Sequence, residues 1–206
     1  SLEGIAENTS SLLLLINHIL DLSKVEAGKI QMTMEEVDLV RLIQDVVEST
    51  ASLTRDRPYS VTTDLPEGPM PVTADAGIVR QVLVNLLSNA IKFTPEGSVD
   101  VAVEEREDGD VLVSVADTGL GIKPENMEFI FDAFRQVDGS STRKHGGTGL
   151  GLTISKQFAA LLGGDVVARS IHGKGSTFTL VLPRAKMIPR DHADAGQDVE
   201  KEDEPH

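Results

Sequence analysis

The sequence predicts an α/β (α+β) fold: a two-layer sandwich in which helices cover one face of a mixed or antiparallel sheet, preceded by a long helix. Apolar residues recur at helical spacing in several segments and alternate in others, and pairs of alternating segments are joined by short turns. Directly joined strands argue against a doubly wound parallel sheet, in which a helix separates paired strands. The 206 residues suffice for one such domain with a smaller element.

The first predicted element is a helix over 2–27, whose apolar residues lie alternately three and four positions apart. This stripe is typical of a helix that packs on other helices, and Gly28 is expected to end it. Asp38 is expected to cap a second amphipathic helix that runs to about residue 53. The remaining predictions are strands over 59–65 and 70–73, a helix over 76–93, a hairpin over 98–105 and 111–116, a short helix near 124–131, a helix over 150–162, and strands over 165–171 and 177–182.

Composition excludes several classes of function. The net charge is −14, and an acidic surface repels a phosphate backbone, so nucleic acid is not an expected partner. The absence of Cys excludes disulfides, thiolate metal sites and a cysteine nucleophile. The longest apolar run, 12–16, is far shorter than the ~20 residues of a membrane span, and no membrane contact is expected.

Three polar or glycine-rich motifs carry the candidate chemistry. In the first, Asn85, Asn89 and either Lys92 or Phe93 share one face of the predicted helix. A neutral amide oxygen can bind Mg²⁺ without cancelling its charge, which leaves the metal's field for phosphate oxygens. A solvated polar helix face explains the same pattern equally well.

The second motif lies where a predicted strand ends, with Asp117 followed by Gly119 and Gly121. Glycines at alternate positions let the backbone approach a ligand closely. A fixed carboxylate there can accept a hydrogen bond from the exocyclic amine of adenine, whereas guanine presents a carbonyl oxygen that it repels. A tight turn entered through an Asp is the alternative.

In the third motif, four glycines between 146 and 151 run directly into a predicted helix. Successive N–H groups at a helix N-terminus form an anion site suited to a triphosphate. No Gly-Lys-Ser/Thr follows, so this is not a Walker P-loop. A flexible hinge is the weaker alternative.

In this order the motifs resemble the histidine kinase branch of the gyrase, heat-shock chaperone, histidine kinase and mismatch-repair ATPase superfamily. The corresponding segments are the N box (85–93), the first glycine box (117–122), the F box (131–134), the second glycine box (147–152) and the last glycine box (173–177). Residues 20–29 resemble the end of the second helix of the dimerisation hairpin. The resemblance implies a partial hairpin helix over 1–30 and a catalytic domain with the Bergerat ATP-binding fold over 31–185. The polar, acidic composition after Pro183 predicts an acidic disordered tail over 186–206.

The resemblance also implies roles for individual residues. Asn89 would bind Mg²⁺ with support from Asn85, Lys92 would reach the phosphates of ATP, and Asp117 would hold the adenine amine. The other residues implied at the nucleotide are Phe93, Gly119, Gly121, Ile122, Phe134, Gly147, Thr148, Gly149, Leu150, Gly151 and Thr177.

The resemblance further implies an ATP lid over 131–146, with a cation for the γ-phosphate. Many members have an Arg two residues after the second F-box Phe, where this chain has Gln136. Arg143 is therefore the favoured candidate, ahead of Arg135 and Lys144.

As a function, the resemblance implies a sensor histidine kinase that transfers the γ-phosphoryl group of ATP to a histidine. The family's phosphoacceptor motif, His, an acidic residue and Arg-Thr-Pro, is missing from this sequence, so this chain is not expected to label itself. Asn85 stands where the sibling ATPases have a Glu that activates water, which argues against hydrolysis. The implied partners are the kinase's own hairpin, as a homodimer, and a response regulator receiver domain in the cytoplasm. A non-catalytic nucleotide-binding scaffold is the alternative.

Overall fold

The computed structural model describes residues 16–17, 19–21, 23–25, 27–51, 59–135 and 149–183. The predicted acidic tail over 186–206 lies outside these residues, as do Arg143, Lys144, Gly147 and Thr148. The elements are α1 (the described residues between 16 and 25), β1 (Glu35–Asp38), α2 (Leu39–Ala51), β2 (Tyr59–Asp64), β3 (Pro71–Ala74), α3 (Ala76–Phe93), β4 (Gly97–Glu105), β5 (Val111–Asp117), α4 (Pro124–Met127), α5 (Gly151–Leu161), β6 (Asp165–Ile171) and β7 (Gly175–Leu182).

Five strands form the main sheet, in the order β2-β4-β5-β7-β6. The β2–β4 pair is parallel and the other pairs are antiparallel, so the sheet is mixed. On β5 every second residue, from Val111 to Asp117, is buried, and α3 contacts this strand and β7. The buried face of the sheet and the apolar faces of α2, α3 and α5 make one core. The predicted two-layer sandwich is confirmed.

A second sheet of two strands was not expected. β1 pairs antiparallel with β3, which places Val37 opposite Val72, and both side chains are buried. Four residues with one inward apolar side chain carry no detectable period, so only the partner strand reveals this element. The predicted helix near 124–131 is also shorter than expected, since it ends at Met127 and turns follow it.

The helix that carries the first motif, α3, has clear start and stop signals. Asp75 caps it by accepting a hydrogen bond from the Ile78 N–H at 3.0 Å. At its end the buried Thr94 hydroxyl donates to the Ala90 carbonyl at 2.7 Å, and Pro95 cannot continue the helix. The apolar face between these signals is buried in the core, which directs the polar residues of the motif to the helix's other side.

The end of α1 confirms the prediction at Gly28, which has φ +62°. Its N–H donates to the Val25 carbonyl and that of Lys29 donates to the Lys24 carbonyl, both at 2.9 Å, which is a Schellman motif. The Gln81 amide of α3 donates to Asp21 of α1 at 2.8 Å. Within the described residues, no helix has the length and apolar character needed to cross a membrane.

Candidate functional site

Asp117 lies at the end of β5, on the face of the sheet that packs against the helices, and is only 9% exposed. The Gly119 N–H donates to its Oδ1 at 2.9 Å, and the backbone N–H of Ser176 also hydrogen-bonds to the carboxylate. Burial raises the pKa of Asp117 above its usual range, and the two N–H groups act in the opposite direction. The central strand of the sheet therefore ends in a buried hydrogen-bond acceptor.

The turn after Asp117 packs directly against the end of α3. The Leu120 N–H donates to the Phe93 carbonyl at 3.2 Å. A Cβ added to Gly119 would lie 2.2 Å from that same carbonyl oxygen, so only glycine permits this approach. The first and second motifs are thus in backbone contact.

On its other side the turn packs against the connection between β6 and β7. Gly121 has φ +62°, and a Cβ there would lie 2.1 Å from the Ile171 carbonyl oxygen. The Gly173 N–H donates to the Leu120 carbonyl at 2.7 Å. Ile122, the last residue of the predicted box, donates its N–H to the Ser170 hydroxyl at 2.7 Å. The last glycine box therefore meets the first.

The polar face of α3 also meets α5. The Asn85 amide donates to the Ser155 hydroxyl at 2.6 Å, and a Cβ on Gly151 would lie 2.3 Å from Asn85 Oδ1. One turn later, the half-buried Asn89 side chain makes no hydrogen bond with the residues that the structure describes. Asn85 is thus engaged in holding α5, which leaves Asn89 as the available amide of the pair.

Lys92 and Phe93 are the last two residues of α3. Lys92 is half-buried, its Nζ lies 5.0 Å from the centre of the Phe93 ring, and burial lowers the pKa of its ammonium group. The Phe93 ring is 37% exposed, so an apolar surface remains beside the Asp117 turn. The end of α3 therefore offers a cation and a ring side by side.

The two chain segments that flank 136–148 meet at their bases. The Phe134 N–H donates to the Gly149 carbonyl at 3.1 Å, and the Thr153 hydroxyl donates to the Phe131 carbonyl at 2.8 Å. Arg135 is exposed, lies over the Phe129 ring, and is 3.5 Å from the carboxylate of Asp132 in the F box. The predicted lid thus starts and ends at one place.

Leu150, which is predicted at the nucleotide, is fully buried in the core, so its side chain is not available to a ligand. Only the backbone of this residue can take part.

The strand register corrects the prediction for Thr177. The Cα partner of Asp117 is Ser176, whereas Thr177 is paired with Ala116. Because side chains alternate across a sheet, Ser176 shares the face of Asp117 and Thr177 lies on the opposite face. The prediction near Asp117 was wrong by one residue. The buried alternation of Ser176 with Phe178 and Leu180 is the sequence signal that could have found it.

Together these contacts bring the predicted boxes to one end of the sheet, with Gly147 and Thr148 outside the described residues. The residues assembled are a buried carboxylate, an available amide, a cation and glycine-lined turns. Within the described part of the chain, no three His, Asp or Glu side chains form a cluster able to hold a metal. The arrangement suits a ligand that has its own anionic groups and a polar ring edge.

Comparison with known proteins gives the family. The model of the histidine kinase-, DNA gyrase B-, and HSP90-like ATPase family matches residues 74–186, more than half of the chain. Hybrid signal transduction histidine kinase D of Dictyostelium discoideum is 43% identical over 188 residues, which are 88% of this chain and 12% of that protein. Sensor histidine kinase WalK of Bacillus subtilis is 38% identical over 177 residues, 85% of this chain and 29% of that protein. The chain thus spans only a minor part of these relatives.

Solved structures agree. Full-length ShkA in complex with AMPPNP has a TM-score of 0.78 and 32% identity, over 90% of this chain and 38% of that one. The nucleotide-free catalytic domain of the histidine kinase ThkA has a TM-score of 0.64 and 28% identity, over 74% of this chain and 97% of that one. The chain therefore belongs to the histidine kinase-, DNA gyrase B-, and HSP90-like ATPase family, within which the relatives named above are histidine kinases.

Proposed function

We propose that this chain is the ATP-binding catalytic part of a sensor histidine kinase, which transfers the γ-phosphoryl group of ATP to a histidine on a dimerisation helix. The observation that carries the proposal is the buried Asp117 carboxylate, held by two backbone N–H groups beside glycine-lined turns. The exocyclic amine of adenine can donate to this carboxylate, whereas the carbonyl oxygen of guanine would be repelled. Family membership and the kinase relatives support the same choice.

The remaining contacts to ATP follow from the neighbouring groups. Ser176 would lie beside the adenine base together with Asp117, and the exposed Phe93 ring would pack on the apolar face of the adenine. Lys92 would extend toward the phosphates, because its ammonium group lies at the end of α3, next to Phe93. Gly147, Thr148, Gly149 and Gly151 are proposed to bind the phosphates through backbone N–H groups at the start of α5.

We propose Mg²⁺ as the cofactor, bound through the Asn89 amide oxygen and the phosphates of ATP. The donor set fits, because Mg²⁺ in such sites takes few protein oxygens and keeps substrate phosphates as ligands. Asn89 is free of hydrogen bonds to the described residues, whereas Asn85 is engaged with Ser155. When bound, the ion would neutralise negative charge that develops on the phosphates.

Transfer to an imidazole, rather than hydrolysis, is favoured by Asn85. Its amide cannot act as a general base, and its hydrogen bond to Ser155 gives it a positioning role on α5. A histidine with a pKa of ~6.5 is substantially neutral at physiological pH and needs no base to attack. In the reaction the bond from the γ-phosphorus to the bridging oxygen breaks, ADP leaves, and a P–N bond forms.

Arg143 remains the proposed lid cation, since Arg135 already contacts Phe129 and Asp132.

The proposed organisation places residues 1–30 in a dimerisation hairpin, 31–185 in the catalytic domain and 186–206 in an acidic disordered tail. The hydrogen bond from Gln81 to Asp21 supports a position of α1 beside the proposed catalytic domain. The proposed partners are a hairpin that bears the phosphoacceptor histidine, a second copy of the kinase, and a receiver domain. The proposed location of this catalytic part is the cytoplasm.

Calorimetric titration with ATP and with GTP, each with and without Mg²⁺, tests the nucleotide site. We expect ATP to bind more tightly with Mg²⁺ than without it, and GTP to bind clearly more weakly. If neither nucleotide binds, the proposed function is wrong at its first step.

Phosphoryl transfer is tested by supplying a dimerisation hairpin from one of the relatives named above, together with ATP labelled at the γ-position. We expect acid-labile label on the hairpin and none on this chain. A hairpin with its phosphoacceptor His changed to Gln is the matched control. Tight ATP binding with no labelling of several hairpins would instead support a non-catalytic nucleotide-binding module.

A further inference from the structure

Ser170, which lies outside all the glycine boxes, connects two of them through its hydroxyl group. This half-buried residue of β6 accepts a hydrogen bond from the Ile122 N–H at 2.7 Å. Its oxygen also lies 3.0 Å from the Gly175 carbonyl oxygen and 2.9 Å from the Ser176 hydroxyl oxygen. We infer that Ser170 is a positioning residue for adenine recognition, an inference that rests on the proposed nucleotide site.

The proton count shows how Ser170 would act on Ser176. A serine hydroxyl has one hydrogen to donate and two lone pairs that accept. If Ser170 donates to the Gly175 carbonyl, the Ser176 proton must point back at Ser170. If Ser170 donates to Ser176 instead, the Ser176 hydroxyl can point its hydrogen toward the adenine base. In either arrangement the hydrogen bond to Ser170 holds the Ser176 hydroxyl in place beside Asp117, with which Ser176 is paired.

Ser170 also holds the turn that follows Asp117. Around Gly121 this turn meets the β6–β7 connection through backbone atoms, since a Cβ on Gly121 would lie 2.1 Å from the Ile171 carbonyl oxygen. The Gly173 N–H adds one backbone hydrogen bond, to Leu120. The bond from Ile122 to Ser170 fixes the next residue of the same turn, so its loss would free the turn at the adenine end of the site and leave the phosphate end unchanged.

The test is Ser170→Ala, titrated with ATP, ADP and GTP in the presence of Mg²⁺. We expect ATP and ADP to bind to Ser170→Ala about tenfold more weakly than to the parent, the upper end of the loss typical of one hydrogen-bonding partner. The ratio of ATP to ADP affinity should stay constant, because the phosphate contacts remain, while the preference for ATP over GTP should decrease. A general structural defect would not lower the ATP-to-GTP affinity ratio while leaving the ATP-to-ADP ratio constant.

Two further variants serve as controls. Ser170→Thr keeps the hydroxyl and should restore ATP affinity to within about threefold of the parent. Ser114→Ala removes a hydroxyl that forms a similar cross-strand pair, 2.9 Å from that of Thr179, on the opposite face of the sheet. It should bind ATP like the parent. Thermal unfolding confirms that each variant is folded at the temperature of the titration.

Three outcomes would overturn the inference while leaving the proposed function intact. These are ATP binding by Ser170→Ala equal to that of the parent, an equal loss in Ser114→Ala or in Ser170→Thr, and a loss for ATP that ADP does not share. Absence of ATP binding by the parent itself would instead overturn the proposed function.

Discussion

Asp117→Asn alters the residue assigned to adenine by exchanging one carboxylate oxygen for an amide nitrogen. Oδ1 of Asp117 already accepts the Gly119 N–H at 2.9 Å, and the remaining amide oxygen can keep this bond. The amide NH₂ group then takes the position that faces the ligand. Because NH₂ is a donor, it meets the exocyclic amine of adenine, another donor, where the parent has a charged acceptor.

The size of the effect follows from burial. Hydrogen bonds to charged groups contribute about 1.5–3 kcal/mol, and at 9% exposure little water reaches Asp117 to replace a lost bond. ATP should therefore bind about ten- to hundredfold more weakly to Asp117→Asn. GTP should not lose affinity, because the new NH₂ group can donate to the guanine carbonyl. The ratio of ATP to GTP affinity then falls by at least as large a factor as the ATP affinity itself.

The same substitution should not reduce stability. Burial raises the pKa of Asp117, so the unfolded chain releases this proton at a lower pH than the folded chain does. The free energy of unfolding consequently falls as the pH rises from ~3.9, the ordinary carboxyl pKa, through the raised pKa of the folded state. At pH 7 the carboxylate is charged, and the burial of this charge lowers stability. The uncharged Asn removes this cost. ATP affinity of the parent should also fall as the pH drops through the raised pKa, a dependence that Asp117→Asn should lack.

Calorimetry with both nucleotides and thermal unfolding by circular dichroism measure these quantities on the same samples. An Asp117→Asn variant that binds ATP as tightly as the parent would remove Asp117 from the adenine site. A variant whose Tm is several degrees lower would show that the carboxylate stabilises the fold, and the reasoning from its raised pKa would be wrong.

Three further substitutions test other parts of the site and the core. Asn89→Ala should reduce the gain in ATP affinity on adding Mg²⁺ by at least about tenfold, with affinity in EDTA unchanged; an unaltered gain in calorimetry would place the ion elsewhere. Gly121→Ala should lower the free energy of unfolding by about 1–3 kcal/mol or more in urea titrations, because φ is +62° and its Cβ would lie 2.1 Å from the Ile171 carbonyl oxygen. Leu86→Ala should lower it by about 2–5 kcal/mol, since this side chain is fully buried, while ATP affinity at low temperature stays that of the parent. A loss in the free energy of unfolding below about 1 kcal/mol for Leu86→Ala would mean that the core around Leu86 is more loosely packed than its burial indicates.

Local sequence signals were sufficient for much of the fold. The helix predicted over 76–93 is observed as Ala76–Phe93, because Asp75 caps it and its apolar residues keep helical spacing. The β4–β5 hairpin was likewise predictable, because Gly109 can adopt φ +87° at the turn. Both elements carry their start, their stop and their buried face within their own residues.

Contacts between distant residues could not be predicted. The partner of Asn85 is Ser155, 70 positions away, and only the packing of α5 on α3 shows that Asn85 is engaged while Asn89 is available. β1 was missed because it becomes a strand only through its pairing with β3. Thr177 was predicted in the place of Ser176 because a resemblance between motifs does not state which face of a strand each residue occupies, whereas the register with β5 does.

The departures from ordinary folding rules give an independent argument for where the function lies. Asp117 is a buried carboxylate whose charge opposes folding, and a Cβ on Gly175 would lie 1.9 Å from its carbonyl oxygen. Phe134, at the base of the predicted lid, has φ +62°, which costs about 1–2 kcal/mol for such a side chain. The apolar core of the sandwich requires none of these features, since an apolar residue at 117 would fill the same row as Val113 and Val115. Their concentration around one end of the sheet is what selection for a bound ligand produces, and selection for stability would remove them.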